Sequence, residues 1–138
     1  MMIPLLNAIV IYAKDMQRSA AFYQRYFGFT STGEVREGLI ELVAPTGPNG
    51  SSNNGGGNGV RILIHQAGKG VKLGQAGVKL TFSVPDVEAF KTAAAELGLT
   101  FGSTHQANGY TYANAKDPDG NALSISSRAF RSVNSVEA

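Results

Sequence analysis

The sequence predicts an α+β domain made of two βαβββ modules, and three observations predict it. One pattern occurs twice. AIVIYAKDMQRSAAFYQRYFGF at 8–29 and KLTFSVPDVEAFKTAAAELGL at 79–99 each read as an alternating strand, an Asp, and an amphipathic helix closed by Gly-Phe or Gly-Leu. Asp15 and Asp86 hold equivalent places, roughly 70 residues apart, a spacing longer than a solenoid unit and suited to two copies of one small module. Behind each helix, short runs rich in Val, Ile, Thr and Tyr are separated by Gly-, Pro- and Asn-bearing turns, the pattern of further strands. Paired modules create a cleft, and clefts are where small molecules bind.

The first strand is expected over 7–13. Asp15 follows as a helix N-cap, because its carboxylate accepts from free amides of the first turn. Met16, Ala20, Tyr23 and Phe27 recur at helical spacing and make one apolar stripe. Gly28 ends this helix as a left-handed cap. Strands over 30–36, 39–44 and 60–66 complete module one, 5–66. A Gly-rich linker, 67–77, leads to module two, 78–127. There a strand over 78–84 precedes a helix over 86–97 whose buried stripe is Val87, Phe90, Ala94 and Leu97, with Gly98 as cap. Strands over 99–102, 110–115 and 122–127 follow. The domain spans 1–128, and the polar tail 129–138 is expected to be flexible. Asp117-Pro118-Asp119-Gly120-Asn121 reads as a turn, since Pro suits an early turn position and Gly a positive φ. It lacks the remaining oxygen ligands of a calcium loop.

Composition excludes several function classes. The chain has 138 residues, 43% of them hydrophobic, enough for one real core. Net charge is only +2 and no basic run occurs, which argues against nucleic acid as a partner. There is no cysteine, hence no disulfide framework, thiolate metal site or cysteine nucleophile, and a cytoplasmic location is expected. The apolar segment 3–13 is too short to span a membrane, and no Lys or Arg precedes it as in a signal peptide. No membrane partner is expected. Ser-His-Asp groupings, a P-loop and a GxGxxG after a strand are all missing.

With a first helix reading KDMQRSAAFY and a final hairpin reading KDPDGNALSI, the paired modules resemble the vicinal oxygen chelate superfamily. That superfamily includes glyoxalase I, extradiol dioxygenases, fosfomycin-resistance enzymes and bleomycin-resistance proteins. The resemblance covers 5–127. It implies sheets curled around an open cleft and a homodimer, with the cleft completed across the dimer interface in many members. It also implies where metal ligands would stand: in the first strand seven residues before the capping Asp, at the equivalent place in the second copy, four residues beyond the Gly of the DPDG turn, and in the strand 60–66. Here those places hold Ala8, Lys79, Ser124 and a residue near Ile62. Alanine and isoleucine offer no lone pair, an ammonium repels a cation, and a neutral serine is a weak ligand. No metal or other cofactor is expected. His65 and His105 have no Asp or Glu at metal-ligand spacing and read as structural or surface histidines.

Alternation indicates what the cleft would hold instead. Leu80, Phe82 and Val84 share one strand face and should meet the helix; Lys79, Thr81 and Ser83 share the other. Leu123 and Ile125 likewise alternate with Ser124 and Ser126, and Tyr110, Tyr112 and Asn114 share a face. Under the resemblance these polar faces look into the cleft, opposite Ala8, Val10, Tyr12, Ile62 and Ile64. The candidate ligand-binding residues are Tyr12, Ile62, Lys79, Thr81, Tyr110, Tyr112 and Ser124, with no catalytic residue assigned. Lys79 stands at the centre as a partner for an anionic or aromatic small molecule, its buried ammonium requiring compensation. The expected function is metal-free small-molecule binding, leaving open whether any reaction is catalysed. The alternatives are a glyoxalase-type lyase or dioxygenase with divergent ligands, and a dimeric structural subunit with a vestigial cleft.

The segment 45–59, PTGPNGSSNNGGGNG, contains almost nothing able to pack and is expected to be a mobile hairpin loop. Loop-closure cost grows slowly with length, so shortening this loop to a few residues should leave stability within about 1 kcal/mol. Urea unfolding measures this. Loss of folding on deletion would show the segment to be docked.

Overall fold

Within each unit of the fold, the first strand runs parallel to the last, and the last strand lies inside the sheet. The structure is a computed structural model that describes residues 2–45 and 59–132. It divides into two compact units, Met1–Leu73 and Gly74–Ala138. Most of the loop 45–59 and the last six residues of the tail lie outside the described residues.

The first unit comprises β1 (Ala8–Ala13), α1 (Met16–Phe27), β2 (Leu39–Leu42) and β3 (Arg61–Gln66), with sheet order β1-β3-β2. Helix α1 starts where Asp15 accepts a bond of 3.1 Å from the Arg18 amide. It stops at Gly28, whose φ of 72° lets its amide reach back to the carbonyls of Gln24 and Tyr23. The helix buries Ser19, Ala20 and Tyr23, while Ile11, Ala13, Ile40, Leu42, Ile62 and Ile64 are buried from the sheet. Tyr23 is fully buried and meets Phe29 edge-on, with ring centroids 6.3 Å apart.

The second unit comprises β4 (Lys79–Ser83), α2 (Val87–Glu96), β5 (His105–Gln106), β6 (Thr111–Lys116), β7 (Ala122–Ser126) and a 3-10 turn, Arg128–Phe130. Its sheet order is β4-β7-β6-β5, antiparallel apart from the parallel β4–β7 pair. Asp86 caps α2 by accepting from the Ala89 amide at 3.0 Å. The core holds Val87, Ala94, Leu99, Phe101, Ala113, Leu123 and Ile125. The two mixed sheets, each with one helix, make the fold α+β.

Three elements differ from expectation. Residues 30–36 form no strand, only the bridges Thr30–Val43 and Arg36–Leu39. The cause is local: Ser31 Oγ accepts from the Gly33 amide at 3.0 Å and Thr32 Oγ1 from the Glu34 amide at 3.2 Å, which diverts the backbone from a ladder. Residues 99–102 also form no strand; the Gly102 amide alone reaches β6, at the Asn114 carbonyl, and pairing begins later at β5. Leu97, expected in the buried stripe, is half exposed because the helix ends at Glu96 and Leu97 is already its cap.

The turn between β6 and β7 is organised by Asp117, a buried carboxylate. Its Oδ1 accepts from the amides of Asp119 and Asn121, both at 2.9 Å, and Oδ2 accepts from Asn121 Nδ2 at 2.9 Å. Gly74 packs against this turn. A Cβ there would lie 2.8 Å from the Asp119 carbonyl oxygen and 3.1 Å from that of Gly120, and Gly74 has φ +74° besides. At Gly33, also with positive φ, an added Cβ meets nothing within 4 Å. Gly33→Ala should therefore cost only its left-handed backbone, about 1 kcal/mol. Gly74→Ala should cost at least about 1 kcal/mol more, since backbone atoms must shift. Paired urea titrations test the difference; equal losses would mean that the contact with the turn is not tight.

Candidate functional site

Strand pairing in the second unit sorts side chains onto one open face. Thr81 is opposite Ser124, Lys79 opposite Ala122, Asn114 opposite Ser124 from the other side, and Tyr112 opposite Ser126. Adjacent residues in register point to the same side of a sheet. Leu80, Leu123 and Ile125 accordingly turn away, with Leu123 and Ile125 fully buried.

A hollow of about 290 Å³ opens on this face, lined by Lys79, Thr81, Tyr110, Tyr112, Ser124, Ser126 and Arg128. Its floor is hydroxylic. Ser124 and Ser126 are buried, yet both are satisfied: Thr81 Oγ1 and Ser124 Oγ are 2.9 Å apart, and Ser126 Oγ accepts from the Arg128 amide at 3.1 Å. Among the described residues no buried side-chain nitrogen or oxygen lacks a partner.

Lys79 is exposed rather than buried, which corrects the expectation of a desolvated ammonium. Its Nζ donates to Asn114 Oδ1 at 3.1 Å and lies 5.7 Å from the centroid of the Tyr112 ring. Tyr112 is the middle of a row of rings. His105 stacks on it at 5.0 Å and 27°, and Tyr110 lies 6.4 Å away at 38°. The Arg131 guanidinium sits 5.7 Å over Tyr110. Among the described residues no carboxylate lines the hollow.

Two features escaped the sequence reading. Arg128, the last residue expected in the domain, was assigned no role in the site. It is held at the sheet end, because Ser127 exchanges hydrogen bonds with Thr111 on both sides: Ser127 N donates to Thr111 O at 3.0 Å and Thr111 N donates to Ser127 Oγ at 3.1 Å. His105, expected to be a structural or surface histidine, is brought to the rings only by the β5–β6 register, which sets it opposite Tyr112.

The other two candidates lie in the first unit. Tyr12 is half exposed on the open face of β1, its ring 5.2 Å from that of His65. Ile62 is on the wrong side. It pairs with Ile9 and is buried with Ile64, while Leu63 pairs with Val10 and His65 with Tyr12 on the open face. Ile64 is corrected with it. His65 Nδ1 lies 2.8 Å from the Gln66 carbonyl oxygen, which can only accept, so Nδ1 carries the proton in that contact. A larger hollow, about 690 Å³, opens beside β2 and β3. Its arginines are already engaged, Arg36 with Glu34 at 2.8 Å and Arg61 with Glu41.

The register also revises the ligand positions inferred from the resemblance. Val10 pairs with Leu63 as Thr81 pairs with Ser124, so the first-unit counterpart of Ser124 is Leu63 rather than Ile62. Ala8, Leu63, Lys79 and Ser124 still do not fit a divalent ion, since they offer one hydroxyl and one cation. Among the described residues no three His, Asp or Glu side chains are grouped to hold a metal. Also among the described residues, no helix is long and apolar enough to cross a membrane.

Comparison with known proteins follows the same lines. The family model described as Glyoxalase/Bleomycin resistance protein/Dioxygenase superfamily matches residues 5–125. A search of curated proteins gave no significant match. Among solved structures, UcmS2 is similar with a TM-score of 0.70 at 19% identity, covering 91% of this chain and 99% of that one. TnmS3, an antibiotic binding protein from Streptomyces sp. CB03234, gives 0.67 at 18% identity over 91% and 96%. FosX, a genomically encoded fosfomycin resistance protein from Listeria monocytogenes, gives 0.67 at 15% identity over 91% and 93%. At these identities the likeness concerns the fold.

Proposed function

Because the chain belongs to the Glyoxalase/Bleomycin resistance protein/Dioxygenase superfamily, we propose that it uses the family fold to bind a small organic anion without a metal. The observation that carries this reading is the hollow on the second sheet, where Lys79, Thr81, Tyr110, Tyr112 and Ser124 converge with no carboxylate among the lining residues. An ammonium, hydroxyls and aromatic rings around a concavity suit a ligand with an acidic or strongly accepting group and a flat body. Tyr12 stays a candidate on the first unit's own open face, and Ile62, which is buried, does not. The assembly is a homodimer, as the family resemblance implies. TnmS3, an antibiotic binding protein by its own description, gives a precedent for binding as the role of this fold.

The division of labour within the hollow follows from chemistry. Lys79 keeps two protons for a ligand after bonding Asn114, because an ammonium donates three. The Thr81–Ser124 pair holds two hydroxyls at fixed positions, ready to donate to or accept from a polar substituent. Tyr112 supplies a face for stacking.

Two outcomes are expected. Thermal-shift screening of small organic acids should yield hits whose shifts shrink in Lys79→Met, a change that keeps the stem and removes the charge. Since Lys79 is exposed, the loss should fall near the lower limit for a charge-assisted bond, about 1.5 kcal/mol. Identical shifts in both proteins for every hit would remove Lys79 from the site. Protein purified without chelator should carry no stoichiometric transition metal by elemental analysis. Near one zinc, nickel, iron or manganese per chain, removable with loss of an activity, would overturn the metal-free reading.

A further inference from the structure

The hollow holds a second cation that the reading above does not use. Lys79 begins β4 and is paired with Ala122 at the start of β7, whereas Arg128 follows the end of β7. The two positive side chains therefore enter from opposite ends of one strand pair, and both line the same hollow. Neither forms an ion pair among the described residues.

Both are placed rather than loose at the backbone. The Arg128 amide is fixed by Ser126 Oγ, and the residue before it is clamped to Thr111. The Lys79 ammonium is oriented by Asn114 and leans over Tyr112. Two cations facing one cavity repel each other, and a ligand with a single negative charge compensates only one. In register Tyr112 stands opposite Ser126, at a level between Ala122, the partner of Lys79, and Arg128, and its ring is flanked by those of Tyr110 and His105. A flat π face offers little to an aliphatic chain beyond area, but it stacks with another ring.

We propose that this hollow is a two-point site for a small aromatic dianion, one acidic group held by Lys79, the other by Arg128, and the ring against Tyr112. The proposal rests on the anion-binding reading and adds to it the second charge and the planar spacer. The volume of about 290 Å³ suits a ligand of one or two rings.

Calorimetric titration of the full chain with terephthalate, benzoate and adipate tests this at low salt. Terephthalate should bind about tenfold or more tightly than benzoate, the increment of one further charge-assisted bond. Arg128→Met should erase that advantage, bringing terephthalate affinity down to that of benzoate. Lys79→Met should weaken both acids, and Tyr112→Leu should erase the preference for terephthalate over adipate. Circular dichroism of each variant checks that the fold is kept. Equal affinity for terephthalate and benzoate in the wild type, or an advantage that survives Arg128→Met, overturns the two-point site while leaving an anion held by Lys79 alone. No binding of any of the three acids overturns both.

Discussion

Everything in the candidate site depends on the register of one parallel strand pair, β4 against β7. Side chains alternate along a strand, so a slip of one residue would exchange the two faces of β7. Leu123 and Ile125 would then stand in the open, and Ser124 and Ser126 would enter the core. The burial of those two aliphatic side chains excludes that slip. The hydroxyl floor of the hollow is thus a by-product of the same apolar burial that stabilises the unit.

The first unit obeys the same constraint with different chemistry. Its parallel pair, β1 against β3, sends Ile11, Ile62 and Ile64 to the helix side and leaves Val10, Tyr12, Leu63 and His65 on the open face. Beside β2 and β3 it forms two ion pairs, Glu41 with Arg61 and Glu34 with Arg36. The repeat has therefore diverged on its open faces while keeping its Asp N-caps and its parallel pairing. Ala8 and Lys79, Leu63 and Ser124 are equivalent in place and unlike in chemistry.

Features governed by short-range rules were readable in the sequence. Asp15 and Asp86 as caps, Gly28 as a terminator and the Asp117–Asn121 turn each depend on a few neighbouring residues. The common face of Lys79 and Thr81 was readable because KLTFS alternates cleanly. RILIHQ does not: Ile62, Leu63 and Ile64 are a continuous apolar run, and only pairing with β1 decides which of them turns inward. Residues 30–36 misled for a related reason, since Thr30, Thr32 and Val35 have strand-like propensity but the Ser31 and Thr32 hydroxyls bond the nearby backbone. Arg128 was out of reach because the residue before it, Ser127, is anchored by hydrogen bonds to Thr111, a distant partner that no local pattern encodes.

The linker between the units contains two kinds of glycine. Gly77 has open space around it, and Gly68 only an ordinary contact, so either place tolerates a side chain as sequences drift. Gly74 is different, because the carbonyl oxygens of Asp119 and Gly120 occupy the volume a side chain would need. A stretch that composition presents as uniform slack thus has one position closed by backbone atoms, besides Gly70, where a φ of +84° alone favours glycine. Among descendants of this chain, the linker would change in composition around a glycine that does not.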